Sequence, residues 1–265
     1  MKNLEGRIVL VTGGSSGIGR AAALAFAQAG AIVMIAARGE ARGREVERAI
    51  RDAGGEARFV QADVSRAADV ERLVGAVVGA WGRLDAAFNN AATAEGALAE
   101  TADFTEEQYD RSMAGNLKSV WLCMKHEIRQ MLLQSPAGGA IVNTSSVNGL
   151  GGAAGGALYS AAKAGILALT KSAAQEYATR GIRVNALVPG AFRTPMLEGV
   201  FETVGGATPE GRAAAEEQYK GYIAMRRIGR PEEAAAAAVW LCSDAASYLT
   251  GHSLIVDGGM TAATR

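Results

Sequence analysis

R-I-V-L-V-T-G-G-S-S-G-I-G, residues 7–19, runs from a β-branched stretch through a glycine- and serine-rich turn into an Ala-rich amphipathic segment that lasts to Gln28. That is the order strand, loop, helix. Gly30 closes the helix, and A-I-V-M-I-A-A at 31–37 is the continuous apolar run of a strand covered on both faces. The same unit then repeats. Helices are expected at 40–53, 67–81, 105–133, 158–179 and 231–242, and strands at 57–61, 85–88, 140–144, 182–188 and 253–256. Alternation over the whole length predicts an α/β fold, a parallel sheet wrapped by right-handed crossovers. A closed barrel needs eight units; about seven strands and a glycine turn suited to an open sheet favour a doubly wound sheet with helices on both faces. Its ligand belongs beyond the carboxyl ends of the strands, at Thr12, Ala37, Asp63, Asn89, Ser145 and Pro189.

A chain of 265 residues is near the upper size for one hydrophobic core, so residues 1–265 are read as a single domain. Hydrophobic residues make up 49% and charged residues 20%, enough to bury a sizeable core and too apolar for a disordered chain. Lys plus Arg (27) balance Asp plus Glu (27), which leaves no net positive field to hold nucleic acid or an anionic membrane. The longest unbroken apolar stretch, 234–242, is far short of the ~20 residues that span a bilayer. M-K-N-L-E-G at the start meets an acid before any apolar run, so a cytoplasmic location is expected. Cys123 and Cys242 lie far apart in helical stretches and read as inert core thiols. His126 and His252 have no ligand spacing around them, and no metal site is assigned.

With a strand before it and a helix after it, the turn is a candidate dinucleotide site, contacted through Gly13, Ser15, Ser16, Gly17, Ile18 and Gly19. Glycines let the backbone approach a pyrophosphate, and free N–H groups at the helix start supply donors and a positive dipole end. The second strand ends in Ala37-Arg38, where a carboxylate would grip a ribose 2′-hydroxyl. An Arg fork there suits a 2′-phosphate instead, so NADP(H) is favoured over NAD(H), although Glu40 is near enough in sequence to reach a ribose. Tyr159 and Lys163, four apart on a helix, share one face, and Ser145-Ser146 ends the preceding strand. All converge at the carboxyl edge. An ammonium beside a phenol favours the phenolate and should lower its pKa, fitting the pair for proton transfer while Ser146 holds a substrate oxygen.

T-G-G-S-S-G-I-G (12–19), Asp63-Val64, N-N-A-A (89–92), Asn116, Ser146, Tyr159 with Lys163, and P-G-A-F-R-T (189–194) together resemble the short-chain dehydrogenases/reductases, in the subgroup of about 250-residue chains. The resemblance runs from Gly6 to the end. It implies a seven-stranded Rossmann-type fold and an NAD(P)-dependent oxidoreductase moving hydride between a nicotinamide and a carbonyl or secondary alcohol of a small molecule. It also implies Tyr159 as general acid/base and Lys163 as the residue that lowers its pKa and binds the nicotinamide ribose. Ser146 is implied over Ser145 because the family separates serine from tyrosine by thirteen positions. Asn116 would hold a water linking Lys163 to solvent. Asp63 and Val64 would meet the adenine, Asn90 and Ala91 the ribose region, and Pro189, Gly190 and Thr194 the nicotinamide end, Thr194 at the carboxamide. T-G-H-S-L-I-V-D-G-G (250–259) looks like the family's last strand and tetramer contact, so a homo-oligomer, dimer or tetramer, is implied.

The chain departs from the family pattern in three places. Ala92 replaces the usual Gly of N-N-A-G, a change cofactor binding should survive. Gly115 stands where a β-branched residue is usual, so the helix beside Asn116 is expected to be looser. G-L-G-G-A-A-G-G-A-L (149–158) contributes little side-chain volume and predicts a roomy or mobile substrate side. Residues 192–228 lack a steady pattern before Glu210 and read as a mobile substrate lid, with Met196, Leu197, Val200 and Phe201 as its apolar inner face. Two other classes compete: a dinucleotide-binding protein without catalysis, which would normally have lost Tyr159 or Lys163, and a sugar-nucleotide epimerase, which usually needs a longer C-terminal region. Within the enzyme reading, a sugar dehydrogenase and a keto-acyl reductase would carry the same motifs.

Overall fold

Seven strands, β1 (Ile8–Thr12), β2 (Ile32–Ala37), β3 (Ala57–Gln61), β4 (Ala86–Asn89), β5 (Gly139–Thr144), β6 (Ile182–Pro189) and β7 (Ser253–Val256), form one sheet in a computed structural model that describes residues 3–262. Every pairing is parallel, and the order is β3-β2-β1-β4-β5-β6-β7. The order reverses between β1 and β4, which opens a crevice at the carboxyl ends of those strands. Thr12 lies opposite Asn89, and Asn89 opposite Asn143, so the residues that end the central strands sit level along one edge.

Pleating sends alternate residues to opposite faces. Val9 and Val11 join the core under α1 (Gly17–Gln28), α2 (Glu40–Asp52) and a C-terminal helix, with Phe26 fully buried among them. Ile8 and Leu10 face the other way, into a second core beneath α3 (Ala67–Trp81) and the helices that follow. Both faces are covered, which is why β1 reads as an unbroken apolar run. Gly82, in the left-handed region at φ +80°, ends α3 as a C-terminal cap that other residues adopt at a cost. Asp85, expected inside β4, stands just before it, and its carboxylate accepts the Ile8 N–H at 2.9 Å.

The long helix expected at 105–133 is interrupted. Thr105 opens α4 (Glu106–Met113) with a reciprocal cap to Gln108, a π turn follows at Ala114–Lys118, and α5 (Ser119–Leu133) completes the run. After β5 come a one-turn helix α6 (Asn148–Gly151) and α7 (Ala157–Tyr177). The patternless segment before Glu210 is in fact helical: α8 (Pro195–Gly205) and α9 (Pro209–Gly221) each start with a Thr cap and a Pro in the first turn. Those two T-P signals were present in the sequence, masked by the surrounding glycines. Leu197 and Phe201 are buried between α8 and α9, with Val200 packed against them, whereas Met196 is exposed and leaves the expected inner face. α10 (Pro231–Cys242) packs along α1, its Ala234, Ala235 and Ala238 letting the two helices approach closely.

Candidate active site

The turn after β1 is shaped by what its glycines exclude. Gly13, at φ +66°, would bring a Cβ to 2.9 Å from the Ala91 backbone, and a Cβ on Gly19 would run into the Gly13 carbonyl. Thr12 Oγ1 accepts the N–H groups of Asn90 at 3.1 Å and Ala91 at 3.2 Å, locking the end of β4 against this turn. α1 begins at Gly17 with Ser16 making no side-chain cap, so the first-turn N–H groups lack an internal partner. Such a start is built for an anion. A Cβ on Gly17 would lie 3.0 Å from Thr194 Cγ2, which places Thr194, the cap of α8, directly across the turn. Pro189 ends β6, and Gly190 sits tight against Asp257.

At the end of β2, Arg38 is exposed, and its carbonyl accepts Gln61 Nε2 at 2.8 Å. Glu40 turns away into α2, where its carboxylate takes Arg44 Nε at 2.9 Å. Asp63 Oδ1 accepts the N–H and hydroxyl of Ser65 at 3.1 and 2.8 Å, and Val64 is buried beside it. The uncapped helix start and the glycine cradle fit the pyrophosphate of a dinucleotide.

Ser146, Tyr159 and Lys163 come together above β5. Ser146 lies close enough to the Tyr159 phenol to favour its ionised form, and Ser146 Oγ accepts the Asn148 N–H at 3.2 Å. Ser145 points the other way: its hydroxyl donates to the Lys163 carbonyl at 2.7 Å. Lys163 is 1% exposed, donates Nζ to the Thr144 carbonyl at 2.9 Å, and lies 5.5 Å from the Tyr159 ring centroid. Burial pulls the Lys163 ammonium down to about 8. The expected lowering of Tyr159 is not found: burial pushes its phenol up to about 12, outweighing the opposing effect of Ser146. Desolvation of the phenolate decides the sign, because Lys163 spends its proton on a carbonyl beneath the ring rather than on the phenol oxygen.

Asn116 is fully buried in the π turn, and its carboxamide accepts the Thr93 N–H at 3.0 Å and reaches the Glu95 carbonyl at 3.5 Å. The side chain ties down the loop after β4, while neighbouring Leu117 packs against Gly165 of α7. Gly115 lies in the π turn, and Thr93 Cγ2 occupies the space a Cβ there would fill. The glycine-rich stretch is anchored at two points: Gly149 lies against the Lys163 backbone, and the Gly155 carbonyl accepts the Ala99 N–H at 3.0 Å. Tyr219 of α9 was missed by the sequence reading. Its ring stands edge-on to Phe201 at 5.7 Å, and it is near enough to Tyr159 that a charge on it would raise the Tyr159 phenol further. Only the tertiary fold brings the two together. Both cysteines are free and buried, and burial pushes their thiols up, Cys242 to about 12.

Residues 13–261 match the family model described as enoyl-(acyl carrier protein) reductase. The 2,5-dichloro-2,5-cyclohexadiene-1,4-diol dehydrogenase of Sphingobium indicum is 41% identical over 263 residues, covering 99% of this chain and 100% of that protein. Levodione reductase of Leifsonia aquatica is 38% identical over 259 residues, covering 97% and 95%. A crystal structure of levodione reductase superposes with a TM-score of 0.93 at 36% identity, over 98% of this chain and all of that one. With dehydrogenases and reductases on every side and the same sheet beneath them, the chain belongs to the short-chain dehydrogenase/reductase family of oxidoreductases.

Proposed function

We propose that this chain is an NADP(H)-favouring oxidoreductase that interconverts a secondary alcohol and its carbonyl on a small ring compound, with Tyr159 as the general acid/base. The observation that carries the reading is the placing of Ser146 and Tyr159 beside the buried Lys163, at the carboxyl edge of the sheet next to the point where the strand order reverses. The turn 13–19, Arg38, Asp63, Val64, Asn90, Ala91, Pro189, Gly190 and Thr194 would hold a nicotinamide dinucleotide, which when bound would supply or accept the hydride. In reduction, Tyr159 donates its phenol proton to the carbonyl oxygen while Ser146 holds that oxygen by a hydrogen bond. A phenol kept protonated up to about 12 by burial suits that direction. In oxidation Tyr159, as the phenolate, takes the alcohol proton, and Lys163 would hold the nicotinamide ribose. Asn116 holds the loop that borders this site.

Arg38 and the turning away of Glu40 support NADP(H). The relative named for a cyclohexadiene diol supports a ring alcohol as the substrate class, and the glycine-rich stretch 149–158 leaves room for one. Residues 192–228 act as the lid, and copies of the chain associate through the exposed aromatic residues of α4 and α5.

The test follows NADPH and NADH absorbance against ring ketones, keto-acyl thioesters and steroid ketones for the wild type, Tyr159→Phe and Arg38→Ala. Tyr159→Phe should lose at least about 100-fold in kcat while still binding cofactor. Arg38→Ala should raise KM for NADPH about tenfold and leave NADH almost unchanged. A wild-type chain that binds reduced cofactor and turns over no substrate in either direction sinks the reading.

A further inference from the structure

Glu127 is the most deeply buried carboxyl among the described residues, and this mechanism leaves it unused. It lies on α5 fully out of solvent, and Asn89 Nδ2 donates to its Oε2 at 2.9 Å. The same Asn89 Nδ2 donates to Asn143 Oδ1 at 3.1 Å, and Asn143 Nδ2 donates to Thr170 Oγ1 at 3.0 Å and Met124 Sδ at 3.1 Å. Two oxygens of this cluster are buried without any hydrogen-bond partner: Glu127 Oε1 and Asn89 Oδ1. They belong to the two partners of one hydrogen bond. Leaving both acceptors unpaired is costly, and leaving an ionised carboxylate there with no cation is more so.

One proton satisfies both atoms. We infer that Glu127 is kept as a neutral carboxylic acid whose Oε1 proton is donated to Asn89 Oδ1, closing a two-bond ring, and that it acts as a positioning residue for the proposed hydride transfer. The ring is placed to do so. Asn89 is followed by Asn90 and Ala91, whose N–H groups seat the phosphate turn through Thr12, and Asn143 is followed by Thr144, whose carbonyl holds Lys163. A single buried cluster thus fixes the strand ends under both the cofactor turn and the lysine.

The surroundings support a proton there. Burial pushes the Glu127 carboxyl up to about 8, with the Asn89 hydrogen bond opposing. β4 and β5 present Asn89 and Asn143, and α7 presents Thr170 through Asn143, all neutral. The titratable groups that feel its charge are the Cys123 thiol of α5 and the Cys242 thiol of α10, and among the described residues it makes no ion pair.

The test uses the intact protein and the variants Glu127→Gln and Glu127→Leu. A glutamine amide reproduces both bonds of the ring and cannot ionise; a leucine makes neither. Infrared spectra of the wild type should show a protonated carboxyl band near neutral pH that disappears as pH passes about 8 and is missing from Glu127→Gln. The folded-state value lies above the ordinary 4.5, so the stabilising contribution is full below about pH 4.5 and is lost as pH rises to about 8. The unfolding constant of the wild type relative to Glu127→Gln should therefore rise by up to roughly tenfold per pH unit across that window and then level off. Turnover lost in Glu127→Leu should be restored in Glu127→Gln, without the alkaline fall that Glu127 ionisation causes in the wild type. A wild type with no protonated carboxyl band at neutral pH, or a stability difference independent of pH, overturns the inference. Both of those readouts are free of turnover, so a chain inactive on every substrate would count against the proposed reaction and the positioning role, while the protonation state is decided separately.

Discussion

Gly115 shows how one absent methyl supports the turn that holds Asn116. A Cβ there would come to 2.5 Å from Thr93 Cγ2, and Thr93 is the residue whose N–H binds Asn116 and whose Oγ1 accepts the Glu95 N–H at 3.1 Å. Alanine is the better helix former by about 1 kcal/mol, yet Gly115→Ala should lower stability by about 1–2 kcal/mol because overpacking outweighs propensity. Thr93→Ser keeps the hydroxyl and deletes the obstructing methyl, so the double variant should recover most of the loss. Thermal melts of the four proteins check this, and simple additivity would refute the steric coupling. The sequence marks Gly115 as unusual but not its partner, because Thr93 reaches it only through the fold of the β4–α4 loop. The sign of the Tyr159 shift was hidden for a similar reason. Residue spacing shows that an ammonium is near a phenol, whereas the depth at which both are buried, and the carbonyl that claims Lys163, emerge only from packing.

At the scale of elements, α8 and α9 are fastened to the sheet by charge. Arg193, just after β6, makes paired hydrogen bonds to Glu216 of α9 at 2.6 and 2.7 Å and one to Glu198 of α8 at 3.0 Å. Lys220 adds a second cation at 2.9 Å from Glu216. The Arg193 hydrogen bonds hold the Glu216 carboxyl at about 2, below its ordinary 4.5. A depressed carboxyl contributes stability above about pH 4.5 and loses it as pH falls toward 2. Because the Arg193 side chain is half exposed, that contribution is about 1 kcal/mol or less. Glu216→Gln at neutral pH should speed amide exchange across 192–228 while the sheet stays protected, and acid should do the same to the wild type before global unfolding. Uniform loss of protection over the chain would contradict a local fastening. The strands and long helices were legible because apolar runs and 3.6-residue periods are local signals. α8 was not, since its burial depends on α9 and on the loops at Ala191 and Ile228 rather than on a regular pattern of its own.

At the scale of the whole molecule, large apolar side chains stay exposed among the described residues in at least two places. In one, Tyr109 and Trp121 are 49% and 45% exposed beside Met113, Leu117 and Leu169, forming a groove between the α4–α5 run and α7. In the other, Trp240 of α10, Tyr248 after it and Ile255 of β7 are exposed, and β7 is the last strand of the sheet among the described residues. Surfaces of this kind mark association sites, and an unpaired edge strand is a liability that covering removes. The sequence could not separate these faces from the core, because Trp121 sits on the same helix as buried Leu122 and Cys123 and obeys the same spacing rules. With a protomer of 27.3 kDa, light scattering should return a multiple of that mass for the wild type. Trp121→Glu places a charge in the groove, where burying it unpaired is prohibitive, and should halve the mass if each face builds one two-fold contact. Trp240→Glu should act likewise on the second face, and the double variant should run as a monomer with its unfolding still cooperative. A wild-type mass of one protomer, or a mass that neither substitution changes, would mean that these aromatic residues serve something other than assembly of this chain with itself.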